Sequence, residues 1–324
     1  MRVETITSAQ NPKIKNLLLL QEKSKARREQ GLFVVEGRRE LEHCLAAGFT
    51  LRTLFVCPEI ADFGGAAAVF GGAAENYFLC SSSKNQFSAA QEKASSVIPS
   101  EVPSVIPSEV PPVIPSEVPS VIPSEASVSP SSETLIIELP EQLYRKVAYR
   151  ESTEGILAEV EYKTLGLKDL QLPENPLIMV LESVEKPGNL GAVLRSADAA
   201  KADAVLICDP LTDLYNPNLI RASIGAIFTV PTVAVPSEEA VTFLQARDIQ
   251  ILTAQLQDSS LYYDVDMKRG TALVMGTEST GLTPLWRKAA TSHIRIPMLG
   301  RLDSLNVSVS AAILLFEAVR QRQG

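Results

Sequence analysis

The stretch LIMVLESVEKPGNLGAVLRSADAAKA, residues 177–202, decides the fold class. It begins as a near-continuous apolar run, the mark of a buried strand, and breaks at Lys186-Pro187-Gly188. A helical pattern then opens with Asn189 at the expected N-cap, which places Gly191 and Arg195 in the first turns. The unit is strand, turn and helix with a polar mouth.

Working outward, the same grammar recurs. Apolar runs near 177–182, 204–208, 249–254, 271–275 and 292–296 alternate with helical patterns near 189–201, 237–246 and 304–321. This alternation predicts an α/β architecture. TALVMG (residues 271–276) is a buried strand that runs into GTESTGL (residues 276–282), where two glycines bracket Glu278. Glycines at a strand's C-terminal end permit close backbone approach to a ligand, the usual site in open parallel sheets.

The C-terminal segment IPMLGRLDSLNVSVSAAILLFEAVRQ, residues 296–321, places polar groups at the entrance of an apolar helix. Ser304 is positioned to act as N-cap, and cap and ligand contact are both open for it. Asn306, between Leu305 and Val307 in the expected first turn of a buried helix, needs partners there, and contact with a ligand or active site would supply them.

NLGAVLRSA (189–197), YNPNLIRASIGAIF (215–228), GTESTGL (276–282) and IPM…SLNVSVSAA (296–312) together resemble the ordered motifs of the SpoU/TrmH-type RNA ribose methyltransferases of the SPOUT superfamily. Four segments in order over about 150 residues, a domain-sized unit, make the resemblance specific. It implies a parallel-sheet domain closed by a deep trefoil knot, with S-adenosyl-L-methionine held in the knot by backbone groups. It further implies 2′-O-methylation of structured RNA, ribosomal or transfer, by a homodimer whose subunits both shape each site.

Carried over residue by residue, the resemblance assigns Arg195 to activation of the ribose hydroxyl. It assigns Asn189 and Asn306 to organising Arg195 and the RNA backbone, Glu278 to anchoring that network, and Ser304 to an active-site serine. For the cofactor it points to backbone at Gly276, Ile296 and Leu305, with Met298 and Thr253 nearby. A non-catalytic RNA-binding or ribosome-assembly protein that keeps the fold is the alternative. A dinucleotide-binding oxidoreductase is disfavoured, because no GxGxxG follows a strand.

The front of the chain reads as a small α/β domain. Residues 11–30 are expected to be helical, LFVVEG (32–37) a strand, RRELEHCLAAG (38–48) a helix, and LRTLFVC (51–57) and NYFLC (76–80) further strands. With LIIELPEQLYRKVAYRESTEGILAEVEYK (135–163) this region resembles the ribosomal-protein-like RNA-binding domain that precedes the catalytic domain in many family members. Between them VIPSEVPS repeats with a period of eight, and such proline density blocks both helix and sheet. Residues 85–133 are therefore expected to be a disordered insertion, either a repeat expansion or a docking segment. The expected organisation is a substrate-binding domain over 1–163, a linker over 164–174 and a methyltransferase domain over 175–324.

Charge and composition narrow the partners. The formal net charge of −8 over 324 residues argues against a uniformly basic surface. Local basic clusters remain, notably Lys13, Lys15, Lys23, Lys25, Arg27, Arg28, Arg38 and Arg39, which read equally as a solvated helix face or an RNA-facing one. Four scattered cysteines and two separated histidines give no metal spacing, so no metal is expected. No apolar run approaches the ~18 residues of a membrane span, and the first 15 residues lack a signal-peptide core, so a cytoplasmic protein is the default.

Overall fold

The computed structural model describes residues 2–61, 134–149, 154–277 and 280–323. Residues 1–62 and 134–324 cluster as one compact unit. The expected NYFLC strand and the proline-rich repeat lie outside the described residues.

The first sheet uses β1 (Arg2–Thr5), β2 (Leu32–Glu36), β3 (Leu51–Val56), β4 (Leu135–Glu138) and β5 (Ile156–Glu161), in the order β1-β4-β3-β5-β2. β1, β4 and β3 run parallel, while β5 is antiparallel to β3 and to β2. Its helices are α1 (Pro12–Glu22), α2 (Ser24–Gln30), α3 (Arg38–Ala46) and α4 (Glu141–Val147). The single helix expected over 11–30 is two, because Lys23 adopts an extended conformation between them. The chain also adds β1, an edge strand with three exposed positions out of four that carries too little apolar signal to be read from sequence.

The second sheet comprises β6 (Leu177–Glu182), β7 (Ala204–Cys208), β8 (Thr232–Val235), β9 (Gln250–Ala254), β10 (Ser260–Leu261), β11 (Thr271–Met275) and β12 (Ser292–Arg295). Their order is β10-β12-β9-β11-β6-β7-β8, with every pairing parallel. The helices are α5 (Pro187–Ala199), α6 (Pro217–Ser223), α7 (Ala226–Thr229), α8 (Ser237–Gln245), α9 (Pro284–Ala289) and α10 (Val307–Gln323). One face of the strands, including Ile178, Val180, Leu206, Ile251 and Val274, packs on Val241 and Leu244 of α8 and Trp286 of α9. α10 lies against β6 and β11 and packs on α5. With both faces covered, every residue of β6, β7 and β11 is buried, which is why those strands read as unbroken apolar runs. No described helix is long and apolar enough to cross a membrane.

The two sheets are tied together through the segment after β7. Arg27, 2% exposed, donates through Nε to Asp213 at 2.7 Å and through Nη1 to the carbonyls of Leu20 and Gln21. Asp213 also accepts from the Tyr162 hydroxyl and the Tyr215 amide. Phe33 of β2 stacks on Tyr215 at 4.3 Å, and Phe49 meets Phe228 edge to face at 5.3 Å. The basic cluster of the sequence is thereby corrected: Arg27 is a buried structural cation, because a guanidinium placed there satisfies an aspartate and two carbonyls at the end of α1. Lys13, Lys25 and Arg38 are each paired with a glutamate (Glu4, Glu29 and Glu42).

Candidate active site

Four strand ends, of β6, β9, β11 and β12, build the site. β6 delivers Glu182, 2% exposed, whose carboxylate accepts from the Thr283 amide at 2.9 Å and the Thr283 hydroxyl at 2.6 Å. This holds the end of the glycine-bracketed loop against β6. After Glu182 the chain turns through Ser183, φ 52°, and enters α5 at Pro187, three residues before the start that an N-cap at Asn189 implies. Proline has no N–H to lose at a helix start and its φ is already helical, so it takes the first position. Asn189 is therefore the third helical residue and not the N-cap.

β11 ends at Met275, and the following loop folds back on itself. The Gly281 amide donates to the Thr277 carbonyl at 3.0 Å, and the Thr277 and Thr280 hydroxyls lie 2.7 Å apart. A Cβ at Gly276 would stand 2.3 Å from the Gly281 carbonyl oxygen, so only glycine lets the two strands of the loop meet. Glu278 lies outside the described residues.

β12 leads through residues 296–306 into α10. The helix starts at Val307, not Ser304. Asn306 supplies the cap: its Oδ1 accepts from the Ser308 amide at 2.9 Å and the Ser308 hydroxyl at 2.6 Å. Ser304 is exposed, and its hydroxyl donates to Asp303. Asn306 is exposed as well, so the buried first turn expected of it is corrected. Its Nδ2 donates to Asn189 Oδ1 at 3.1 Å, joining the entrances of α10 and α5.

A cleft of about 180 Å³ opens between these ends, lined by Gly276, Thr277 and Gly281 of the loop, Ala254 at the end of β9 with Gln255 and Leu256 after it, and Ile294 and Arg295 of β12 with Ile296 and Met298 beyond it. Asp303, Ser304, Leu305, Val307, Ser310 and Leu314 complete its wall. A second recess shares Gly276, Thr277 and Val307 with the cleft and adds Asn189 with residues 183–186. Thus Gly276, Ile296, Met298, Ser304 and Leu305 come together in the cleft, and Asn189 stands next door. Thr253 is fully buried behind it, its hydroxyl 2.6 Å from His293 Nδ1, and does not line it. Arg195 lies on the exposed side of α5; its side chain makes no ion pair or hydrogen bond among the described residues and lines neither recess.

Sequence reasoning missed Gln255, Thr277, Arg295 and Asp303 as wall residues. Thr277 and Asp303 lie inside the stretches 276–282 and 296–321 and were readable from them; Gln255 and Arg295 are polar residues in unremarkable context, and only the folding of distant loops gathers them. Ser310, one of the polar residues that the sequence places at the entrance of the last helix, does line the cleft. Among the described residues no group of three or more His, Cys, Asp or Glu gathers to hold a metal ion.

Residues 176–316 match the model of the SpoU rRNA methylase family, and residues 11–94 match that of the MRM3-like substrate binding domain. A 23S rRNA (guanosine-2′-O-)-methyltransferase RlmB of Bordetella pertussis is 38% identical over 176 residues, which span 53% of this chain and 72% of the relative. The chain belongs to the SpoU rRNA methylase family. A second family relative, the 23S rRNA (uridine(2479)-2′-O)-methyltransferase of Streptomyces viridochromogenes, is 32% identical over 58% of this chain and 65% of its own. Among solved structures, an RNA 2′-O ribose methyltransferase superposes with a TM-score of 0.70 at 30% identity, covering 99% of this chain and 100% of that one. An AdoMet-bound rRNA methyltransferase from Sinorhizobium meliloti has a similar fold, with a TM-score of 0.72 at 24% identity over 98% of each chain.

Proposed function

We propose that the cleft binds S-adenosyl-L-methionine and that the protein transfers its methyl group to a ribose 2′-hydroxyl of ribosomal RNA. The observation that carries this is the convergence of Gly276, from the loop after β11, with Ile296 and Leu305, from the segment between β12 and α10, on one apolar-walled cleft beside Asn189. The fit is chemical as well as spatial. Met298, Leu256 and Leu314 offer apolar surface, and the glycine loop lets backbone approach a ligand closely.

The cofactor supplies a methyl group on a sulfonium, ready for in-line displacement. The chain's residues have the remaining tasks: alignment, exclusion of water and stabilisation of the oxygen that loses its proton. Asn189 and Asn306, bonded to each other, hold the two helix entrances in register beside the cleft. A guanidinium is a poor proton acceptor in proteins, so Arg195 is assigned to stabilising the developing alkoxide, with an RNA phosphate or water taking the proton from the 2′-oxygen. Glu278 is assigned to the same polar network, and Thr253 to supporting the cofactor wall from behind.

Residues 1–163 hold the RNA, 164–174 link, and 175–324 carry the chemistry, threaded as a trefoil knot. A homodimer is supported by the exposed apolar side chains of Leu299 and Leu302, in the loop before α10, and of Val309 and Phe316, seven residues apart on α10. A cytoplasmic location suits a substrate of this kind. Incubation with methyl-labelled cofactor and ribosomal RNA lacking the modification is expected to label the RNA; absence of label in any RNA would contradict the proposal.

A further inference from the structure

We propose that Glu182 and Thr283 are positioning residues for the methyl donor: the bonds between them set the glycine loop that walls the cofactor cleft. This rests on the reading of the cleft as the S-adenosyl-L-methionine site and names what holds that site in shape.

Glu182 is the last residue of β6, in a strand otherwise made of Leu, Ile, Met and Val. A carboxylate that is 2% exposed there needs donors, and Thr283 supplies two. Oε2 accepts from the Thr283 amide at 2.9 Å, and Oε1 from its hydroxyl at 2.6 Å, a length usual for a hydroxyl bonded to a charged oxygen. These bonds span the loop. β6 and β11 run parallel with Leu181 beside Met275, so Glu182 and Gly276 come one step beyond that pair, where the loop leaves the sheet. Thr283 stands where the loop ends and α9 begins. The end of β6 therefore fixes the exit of the loop against its entrance, and between them the Gly281 amide donates to the Thr277 carbonyl. Gly276, Thr277 and Gly281 all line the cleft.

The Thr283 hydroxyl separates positioning from ordinary helix capping. Thr283 is the N-cap of α9, where a threonine oxygen commonly accepts a bond from its own helix, yet it makes no such bond. Its hydroxyl is turned to Glu182 instead. The helix start forgoes a cap, and the loop gains a fixed attachment to β6. An apolar residue at position 182 would end the strand without burying a charge. It could not hold Thr283 in both distance and direction, as a carboxylate bonded at each oxygen does.

The test is calorimetric titration of the full chain, Thr283→Val and Thr283→Ser with S-adenosylhomocysteine, well below the unfolding temperature of each. Valine keeps the shape and the amide bond but removes the hydroxyl; serine keeps both bonds. Thr283→Val should bind about fivefold or more weakly, and Thr283→Ser within about twofold of the unaltered chain. A tie that served stability alone would lower the Tm of Thr283→Val and leave the affinity of the folded protein unchanged, and that result would overturn the proposal. An equal loss in the serine variant would overturn it too, because the hydroxyl bond would then not be what matters. Thr283 is exposed, so valine is accommodated; should the variant not fold, Thr283→Ala replaces it. If the unaltered chain does not bind S-adenosylhomocysteine, the cofactor reading itself falls, whereas a Thr283→Val that binds as tightly as the unaltered chain removes only the positioning role.

Discussion

Asn306 and Asn189, 117 residues apart in the chain, are joined side chain to side chain at 3.1 Å. The bond connects the entrance of the last helix to the first turn of the helix that carries Arg195. Asn306 also caps its own helix through Ser308, so one amide serves stability and site geometry together.

Asn306→Ala should separate these roles when compared with Asn306→Ser. Loss of the cap is expected to cost about 1 kcal/mol, read from denaturant unfolding, and serine should recover most of it. Methyl transfer should fall in both variants, because neither keeps the bond to Asn189. Serine restoring activity as well as stability would show that the cap alone matters.

Gly276→Ala should act on the cleft. The added methyl cannot coexist with a Gly281 carbonyl oxygen 2.3 Å away, so the loop must open and the cleft must widen. Affinity for S-adenosylhomocysteine is expected to fall by about tenfold or more, equivalent to about 1.4 kcal/mol, by calorimetry. Unchanged affinity would place the cofactor elsewhere.

Arg27 and Asp213 form a buried pair between the two sheets, at 2.7 Å with both side chains nearly inaccessible. Asp213→Ala leaves the guanidinium buried and unpaired, and should destabilise by about 3–5 kcal/mol. Arg27→Met combined with Asp213→Leu should be markedly more stable than either single change, since no buried charge then remains. A double variant as unstable as the sum of the singles would contradict this.

Glu159 on β5 gives a pH dependence. Burial pushes its carboxyl up, opposed in part by Thr53, Asn16 and Lys13. Because folding raises this pKa, the folded state holds the proton more tightly than the unfolded one, and stability falls as pH rises from the ordinary carboxylate range through the raised value. Glu159→Gln should therefore raise the Tm at neutral pH by a few degrees, and the gain should shrink as the pH is lowered until both side chains are neutral. A gain that grows towards acid would reverse the sign.

The strands of the seven-stranded sheet were legible in the sequence because helices cover both faces, leaving apolar runs with sharp ends. β6, β7 and β11 fall where the sequence places them. The helix entrances were not, for local reasons: Pro187 takes the first helical position and displaces Asn189 from the cap, while Asn306 outcompetes Ser304 by bonding both the amide and the hydroxyl of Ser308. Motif residues such as Gly276, Ile296 and Leu305 were readable by resemblance. Gln255 was not, because it joins the cleft wall only once the β9 and β12 ends have met. Arg27 illustrates the opposite error. A sequence cluster of cations cannot tell which member Asp213, 186 residues away, will bury.

The most direct test of the central claim is where a transferred methyl group lands. Ribosomal RNA methylated by this protein with labelled S-adenosyl-L-methionine, then digested with alkali, should release the label in a dinucleotide that resists cleavage, because a 2′-O-methyl group blocks attack on the adjacent phosphodiester. Arg195→Ala should abolish that product while still binding S-adenosylhomocysteine. Label recovered only in mononucleotides would mean base methylation, and would contradict the account.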